Sequence, residues 1–153
     1  MSSVHQYSAS VSWSGTTSGG YEQYPRDHFA SVAPSKTPLT LSGDAAFHGN
    51  PALMNPEQLL VLSAVSCQLL SFLAVAARAR LDILEYKDTA HAEMPEDDPP
   101  VRITRIVLRP EITLRPGPTA ERLQHLAQVA HRECYIANSL KTEVIVEPTF
   151  LFL

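Results

Sequence analysis

Asn55-Pro56-Glu57-Gln58-Leu59-Leu60-Val61-Leu62-Ser63-Ala64-Val65-Ser66-Cys67-Gln68-Leu69-Leu70-Ser71-Phe72-Leu73-Ala74-Val75-Ala76-Ala77-Arg78 is the most strongly patterned stretch of this chain. Asn55 can cap a helix, Pro56 suits the first helical position, and Glu57 puts an acid in the first turn, where the helix dipole favours it. No charge occurs over residues 58–77. Arg78 and Arg80 then bring positive charge to the place where a helix C-terminus favours it. About 25 helical residues would span about 38 Å. That length allows a membrane span, but Ser63, Ser66, Cys67, Gln68 and Ser71 interrupt the apolar run. A helix apolar on nearly all sides is buried in a core or in a membrane. The interruptions and the polar character of the flanking chain favour a core, so no membrane partner is expected.

On the N-terminal side, residues 4–13 place β-branched and aromatic side chains in near alternation, a strand signal. Residues 15–20 are a Ser/Thr/Gly turn cluster. Residues 24–32 could form a second strand, which Pro25 confines to an edge or delays, and Leu39-Thr40-Leu41 is a short third. Residues 44–55 read as a Gly/Asn/Pro loop. On the C-terminal side, residues 81–93 alternate as a strand, residues 94–100 form an acidic Pro-rich turn, and residues 101–114 read as one long strand with arginines on its outer face. Thr119 caps a second helix with an apolar stripe of Leu123, Leu126, Ala127 and Ala130, running to about Cys134. A short turn over residues 135–140 and a last strand over 141–152 follow. Strands, long helix, two strands, helix, strand is an α+β order, expected to build an antiparallel sheet with its helices on one side.

The 153 residues predict one domain over 1–153, long enough to bury a core without disulfide staples. Twelve Lys and Arg stand against sixteen Asp and Glu, a net charge of −4. That balance argues against a nucleic-acid partner, which a basic stripe would announce. The start, Met-Ser-Ser-Val-His-Gln, has neither a basic n-region nor an apolar h-region, so a cytoplasmic location is expected.

Two cysteines, Cys67 and Cys134, are too few and too far apart for a secreted disulfide scaffold. They are either buried bystanders or a redox pair. Ser63, Cys67 and Ser71 are spaced by four and line one helix face. That stripe either lets another helix approach closely or floors a pocket containing a thiol. A mid-helix thiol gains nothing from the helix N-terminus and is inert in apolar surroundings. A reactive Cys67 therefore needs a cation from elsewhere. Between Met1 and Ser66 the chain has one arginine, Arg26, and one lysine, Lys36. Arg26 is the leading candidate, with Glu57 as the anion that orients it. Glu57 and Cys67 are about 15 Å apart along one straight helix, so one guanidinium cannot easily touch both in a single chain. Two antiparallel copies of the helix could bring Glu57 of one chain near Cys67 of the other, which predicts a homodimer with shared sites. Cys134, near the end of the second helix, is either a resolving thiol or a helix-end residue packed on the core.

Asn55-Pro56-Glu57-Gln58-Leu59-Leu60 leading into Cys67, Ala130-His131-Arg132-Glu133-Cys134, Asn138-Ser139-Leu140 and the closing Val-Ile-Val-Glu strand together resemble the OsmC/Ohr family of peroxide-reducing proteins. The resemblance implies an OsmC-like α+β fold, with antiparallel sheets around a long central helix, in an intertwined homodimer. It implies thiol-dependent reduction of hydroperoxides, organic ones preferred over hydrogen peroxide. Cys67 then resembles the peroxidatic cysteine, Cys134 the resolving one, and Glu57 the acid that orients the activating arginine; Arg26 takes that last role by inference. The implied cycle forms a Cys67 sulfenic acid, then a Cys67–Cys134 disulfide, which a dithiol reductant reopens. It requires no metal and no organic cofactor. Leu70, Phe72 and Phe29 would favour a hydrocarbon tail. Tyr135 stands where many Ohr-type members have proline, which places the chain nearer an OsmC-like branch.

Three other readings compete. His131-x-x-Cys134 with Cys67 and His28 could hold a metal tetrahedrally. The same fold could be a non-catalytic module that binds an apolar small molecule. The chain could also be a plain structural or interaction protein, whose thiols would form no internal disulfide.

Overall fold

The structure, a computed structural model, describes residues 2–153. The chain forms two compact units, Met1–Leu59 and Leu60–Leu153, and the boundary falls in the first turn of the long helix.

The first unit holds a three-stranded antiparallel sheet, β1 (Ser10–Ser12), β2 (His28–Ser31) and β3 (Leu39–Leu41), in that order. β1 is much shorter than the alternation over 4–13 predicts, and all three of its residues are exposed. β2 starts after Pro25, as a residue without an N–H requires. Leu41 and Ser42 are the buried residues at the sheet's end, and the Ser42 N–H donates to the Met54 carbonyl at 3.0 Å. A Cβ at Gly49 would lie 1.7 Å from the Gly43 oxygen, so no other residue fits there.

The long helix α1 covers Pro56–Arg78. Asn55 Oδ1 accepts the Gln58 N–H at 2.8 Å and Gln58 Oε1 accepts the Asn55 N–H at 2.9 Å, a reciprocal capping box. At the other end the Leu81 N–H donates to Ala76 O and the Arg80 N–H to Ala77 O, with Arg80 at φ 60°. This is a Schellman stop built on arginine rather than glycine.

The second unit contains two sheets. Ile83–Lys87 (β4), Glu111–Leu114 (β7) and Thr149–Phe152 (β9) form one; His91–Glu93 (β5), Arg105–Leu108 (β6) and Glu143–Val146 (β8) form the other. The three long strands expected over 81–93, 101–114 and 141–152 are each split in two. The splits align: Arg109 N–H donates to Asp88 Oδ1, Glu147 N–H to Leu108 O, and Thr149 N–H to Pro110 O. Pro110 and Pro148 cannot donate to a ladder, and all three strands turn at this line into the second sheet.

The α+β class holds, but these sheets are mixed rather than wholly antiparallel. β4 with β7 and β5 with β6 run antiparallel, whereas β6 with β8 and β7 with β9 run parallel. The cause lies in the chain path. Helix α2 (Ala120–Arg132) stands between β7 and β8, and a helical crossover returns the chain in its original direction.

α1 packs on both sheets. Phe72, Val75 and Ala76 join Ile112, Ala127 and Ala130 in one cluster, and Ala64 joins Ile106 and Leu108 in the other. Its opposite face carries Leu62, Ser66, Leu70, Leu73 and Ala77, all exposed. By length and apolarity α1 could cross a membrane, and 28% of its most apolar window is buried.

Candidate active site

Cys67 sits midway along α1, at the edge of the buried stripe, and is half-buried. Cys134 lies just past α2, as the N-cap of the short helix α3 (Tyr135–Asn138), and is 1% exposed. The expected helix end at Cys134 thus falls two residues earlier, at Arg132. The structure brings the two thiols together: each is free, and Cys67 is near enough to help raise the pKa of Cys134. Burial is the largest cause of that rise, and the nearby Ala137 and Ile136 N–H groups oppose it.

The corner that carries Cys134 is fixed by satisfying the last carbonyls of α2. Val129 O accepts the Glu133 N–H and His131 O the Cys134 N–H; Arg132 O accepts Asn138 Nδ2 at 2.9 Å. Ala130 O accepts the Ser71 hydroxyl at 2.6 Å, across from α1. Each of these groups would otherwise be an orphan of the helix end. The Ser71 bond also sets α2 against α1 one turn from Cys67.

A cavity of about 210 Å³ opens on the Cys67 side, lined by Leu70, Ser71, Ala74, Arg78, Glu133 and Tyr135. Cys67, Ser71, Ala74 and Arg78 follow one helix face at intervals of four, three and four. Arg78 and Glu133 form an ion pair of 2.8 Å across the cavity wall. Ser63, expected on the same stripe, instead donates to Leu60 O within its own helix. Phe72, expected near a bound tail, points into the core at 1% exposure. Sequence reasoning missed Arg78, Glu133 and Tyr135; the eleven-residue spacing of Cys67 and Arg78 was the available signal for the first. Behind the site, burial pushes the Tyr86 phenol well above its ordinary range, with Asp88 and Cys134 adding to it.

Arg26 and Glu57 belong to the first unit. The Arg26 guanidinium donates to the Tyr21 and Tyr24 carbonyls and stacks 3.7 Å over the Tyr24 ring. Glu57 has no ion-pair partner among the described residues, Arg26 included. His28, offered above as a metal ligand, has Nδ1 2.7 Å from the Arg26 carbonyl oxygen. No group of three or more His, Cys, Asp or Glu is placed to hold a metal ion among the described residues. His131 is partly buried, which lowers its pKa below the ordinary imidazole range.

The fold and the paired thiols define a class, and sequence comparison agrees: the OsmC-like protein family matches residues 48–149, and the chain belongs to that family. Among solved structures, an OsmC-like protein of unknown function from Vibrio cholerae O1 biovar eltor is 29% identical, with a TM-score of 0.85, covering 95% of this chain and 100% of its own. An organic hydroperoxide resistance protein from Elizabethkingia anophelis, with crystallant-derived thiocyanate bound, is 19% identical with a TM-score of 0.73, and both chains are covered completely. An organic hydroperoxide resistance protein OsmC from Legionella pneumophila is 17% identical with a TM-score of 0.72, covering 97% of this chain and 98% of its own. At these last two identities the likeness is one of fold. No curated protein shows a significant sequence match.

Proposed function

We propose that this protein is a cysteine-based hydroperoxide reductase that acts in oxidative stress defence and prefers organic hydroperoxides. The observation that supports the reading best is the pairing of a half-buried thiol on a cavity with a buried thiol beside it. The Cys67 thiolate attacks the terminal peroxide oxygen. The O–O bond breaks, its electron pair leaves with the alkoxide, and a proton completes the alcohol. Cys67 is now a sulfenic acid. The Cys134 thiolate attacks that sulfur and expels hydroxide, which leaves as water, and a disulfide remains. A dithiol reductant restores both thiols by exchange. Leu70 and Ala74 give the cavity an apolar wall suited to a hydrocarbon substituent. Arg26 is the proposed activating cation and Glu57 its orienting acid.

The working unit in this proposal is a cytoplasmic homodimer. The exposed stripe of Leu62, Leu70 and Leu73 on α1, with Leu62 54% and Leu70 64% exposed, favours a second copy as its cover. Ser66, exposed on the same face, is a polar group that a lipid cover would have to desolvate.

The test is a count of free thiols before and after one equivalent of cumene hydroperoxide, with hydrogen peroxide in parallel. Both thiols should disappear, faster with the organic peroxide and without intermolecular crosslinks, and Cys67→Ser should stop consumption while remaining folded. Thiols that survive in folded protein would overturn the reading. The cavity would then be better explained as a site for an apolar small molecule.

A further inference from the structure

Two apolar rows cross the second unit beneath α1. In one, Tyr86 pairs with Ile112 and Ile112 with Phe150, and the Phe72 ring lies 6.0 Å from that of Tyr86 and 6.3 Å from that of Phe150. In the other, Leu108 pairs with Val146, and both join Ala90 and Ala64 in one cluster. Ala64, Gln68 and Phe72 recur every four residues along one face of α1. Midway between the rows stand Asp88, Pro110 and Pro148, at the break in all three strands, and Gln68 is level with them. Cys134 belongs to the same level, because Ala130 packs with Phe72 and Ile136 packs against the Ala64 cluster.

This middle level holds polar groups without partners. Gln68 is 2% exposed, and its Oε1 accepts no hydrogen bond. Asp88 Oδ1 accepts the Arg109 N–H at 2.8 Å, but Oδ2 is buried and equally unpartnered. Cys134 is fully buried, and its side chain makes no cap bond to α3. Leaving such groups unpaired is costly, whereas a carboxamide offers a donor at one end and an acceptor at the other.

We propose that Gln68 is a positioning residue that turns its carboxamide between Asp88 and Cys134, so that a proton on one fixes the charge of the other. With Asp88 protonated, its O–H donates to Gln68 Oε1, and Nε2 donates to a Cys134 thiolate. With Asp88 ionised, Nε2 donates to Oδ2, and Oε1 accepts the Cys134 S–H. Each arrangement leaves one negative charge in the level; two would repel each other where water is scarce. Burial holds both Asp88 and Cys134 above the ordinary ranges of their groups, so each resists being the charged one. The neighbouring titratable groups do not compete. Burial keeps the Tyr86 phenol on β4 neutral and lowers His131 on α2, and Arg109 pairs with Glu147 at 3.4 Å on the surface. Cys67, beside Gln68 on α1, faces the cavity. On the redox reading, moving the shared proton from sulfur to carboxyl readies Cys134 to attack the sulfenic acid. The titrations below stand without that reading.

Carbon NMR of the reduced protein follows Cys134 Cβ, Asp88 Cγ and Gln68 Cδ against pH in the wild type, Asp88→Asn, Gln68→Leu and the double variant. Asparagine keeps an oxygen for the Arg109 N–H and turns its amide N–H toward Gln68, so it imitates protonated Asp88. It should therefore move the Cys134 titration to lower pH. The rise in the Cys134 acid constant should be about tenfold greater with Gln68 present than in the Gln68→Leu background, where only the loss of a nearby charge acts. Equal effects in the two backgrounds overturn the proposal, because a bare field needs no carboxamide. Should Gln68→Leu fail to fold, the wild type decides: Gln68 Cδ should shift with the midpoint of Asp88 Cγ, and a Gln68 Cδ that does not follow it overturns the proposal. Failure of the redox reading is seen separately, as thiols that survive cumene hydroperoxide, and leaves these titrations unchanged.

Discussion

The two faces of α1 are made from similar residues and have opposite surroundings. Ala64, Gln68, Phe72, Val75 and Ala76 are buried against the sheets and α2. Leu62, Ser66, Leu70, Leu73 and Ala77 are exposed. Side-chain chemistry does not separate the faces; the side on which the rest of the chain packs does. Cys67 lies on the seam between them, which gives its thiol both a packed neighbour in Cys134 and an open cavity.

Substitutions can break the comparison by removing one face at a time. The largest effect is expected at Phe72, whose ring centroid lies 6.0 Å from that of Tyr86 and 6.3 Å from that of Phe150. Phe72→Ala should cost about 3–5 kcal/mol, because it removes buried area and leaves a cavity. Urea denaturation followed by far-UV circular dichroism would measure it; a loss below about 1 kcal/mol would mean the buried face is not the one that holds the unit together.

On the opposite face, Leu62→Glu should leave the secondary structure intact and weaken the proposed homodimer. A carboxylate buried in an apolar contact costs about 2–3 kcal/mol, roughly a hundredfold in the dimer Kd. Sedimentation equilibrium would read this directly. A variant that associates as tightly as the wild type would overturn the proposed seating of a second copy on this face.

The same two faces mark how far sequence reading could go. The ends of α1 were legible because they are local: Asn55, Pro56 and Glu57 act within one turn, and Arg78 marks the close. Which face is buried was not legible, since both are apolar. The long β segments were legible from alternation, but alternation continues across Arg109-Pro110 and Glu147-Pro148, where the ladder breaks. The parallel pairings depend on the crossover through α2 and are invisible within any one strand. At the site, Ser63 and Ser71 both stand four residues from Cys67 and look equivalent. Only the packing of α2 makes Ser71 a partner of Ala130 while Ser63 bonds within its own helix. The Arg78–Glu133 pair joins residues 55 apart, a separation that no local pattern reports.

Ser71 also tests the seam. Its hydroxyl satisfies the Ala130 carbonyl and fixes α2, hence Cys134, against the helix that carries Cys67. Ser71→Ala should cost about 1 kcal/mol of stability. It should also slow closure of the disulfide more than it slows the first loss of the Cys67 thiol. Stopped-flow thiol consumption set against disulfide formation separates the two steps. Equal slowing of both would assign Ser71 to stability alone.

The smallest effect is expected where both faces end. Arg80 closes α1 at φ 60°, a conformation that costs an L side chain its usual freedom from contact between Cβ and the backbone. The two closing hydrogen bonds, to Ala77 and Ala76, use only main-chain atoms of Arg80 and Leu81. Arg80→Gly therefore keeps the stop and relieves the strain, though glycine returns some entropy to the unfolded chain. The balance should be a gain of about 0.5–1 kcal/mol, read as a small rise in Tm. Because the stop serves the buried and exposed faces equally, self-association and peroxide turnover should not change. A fall in either, with Tm unchanged or raised, would mean that the Arg80 side chain reaches a partner surface beyond its own chain.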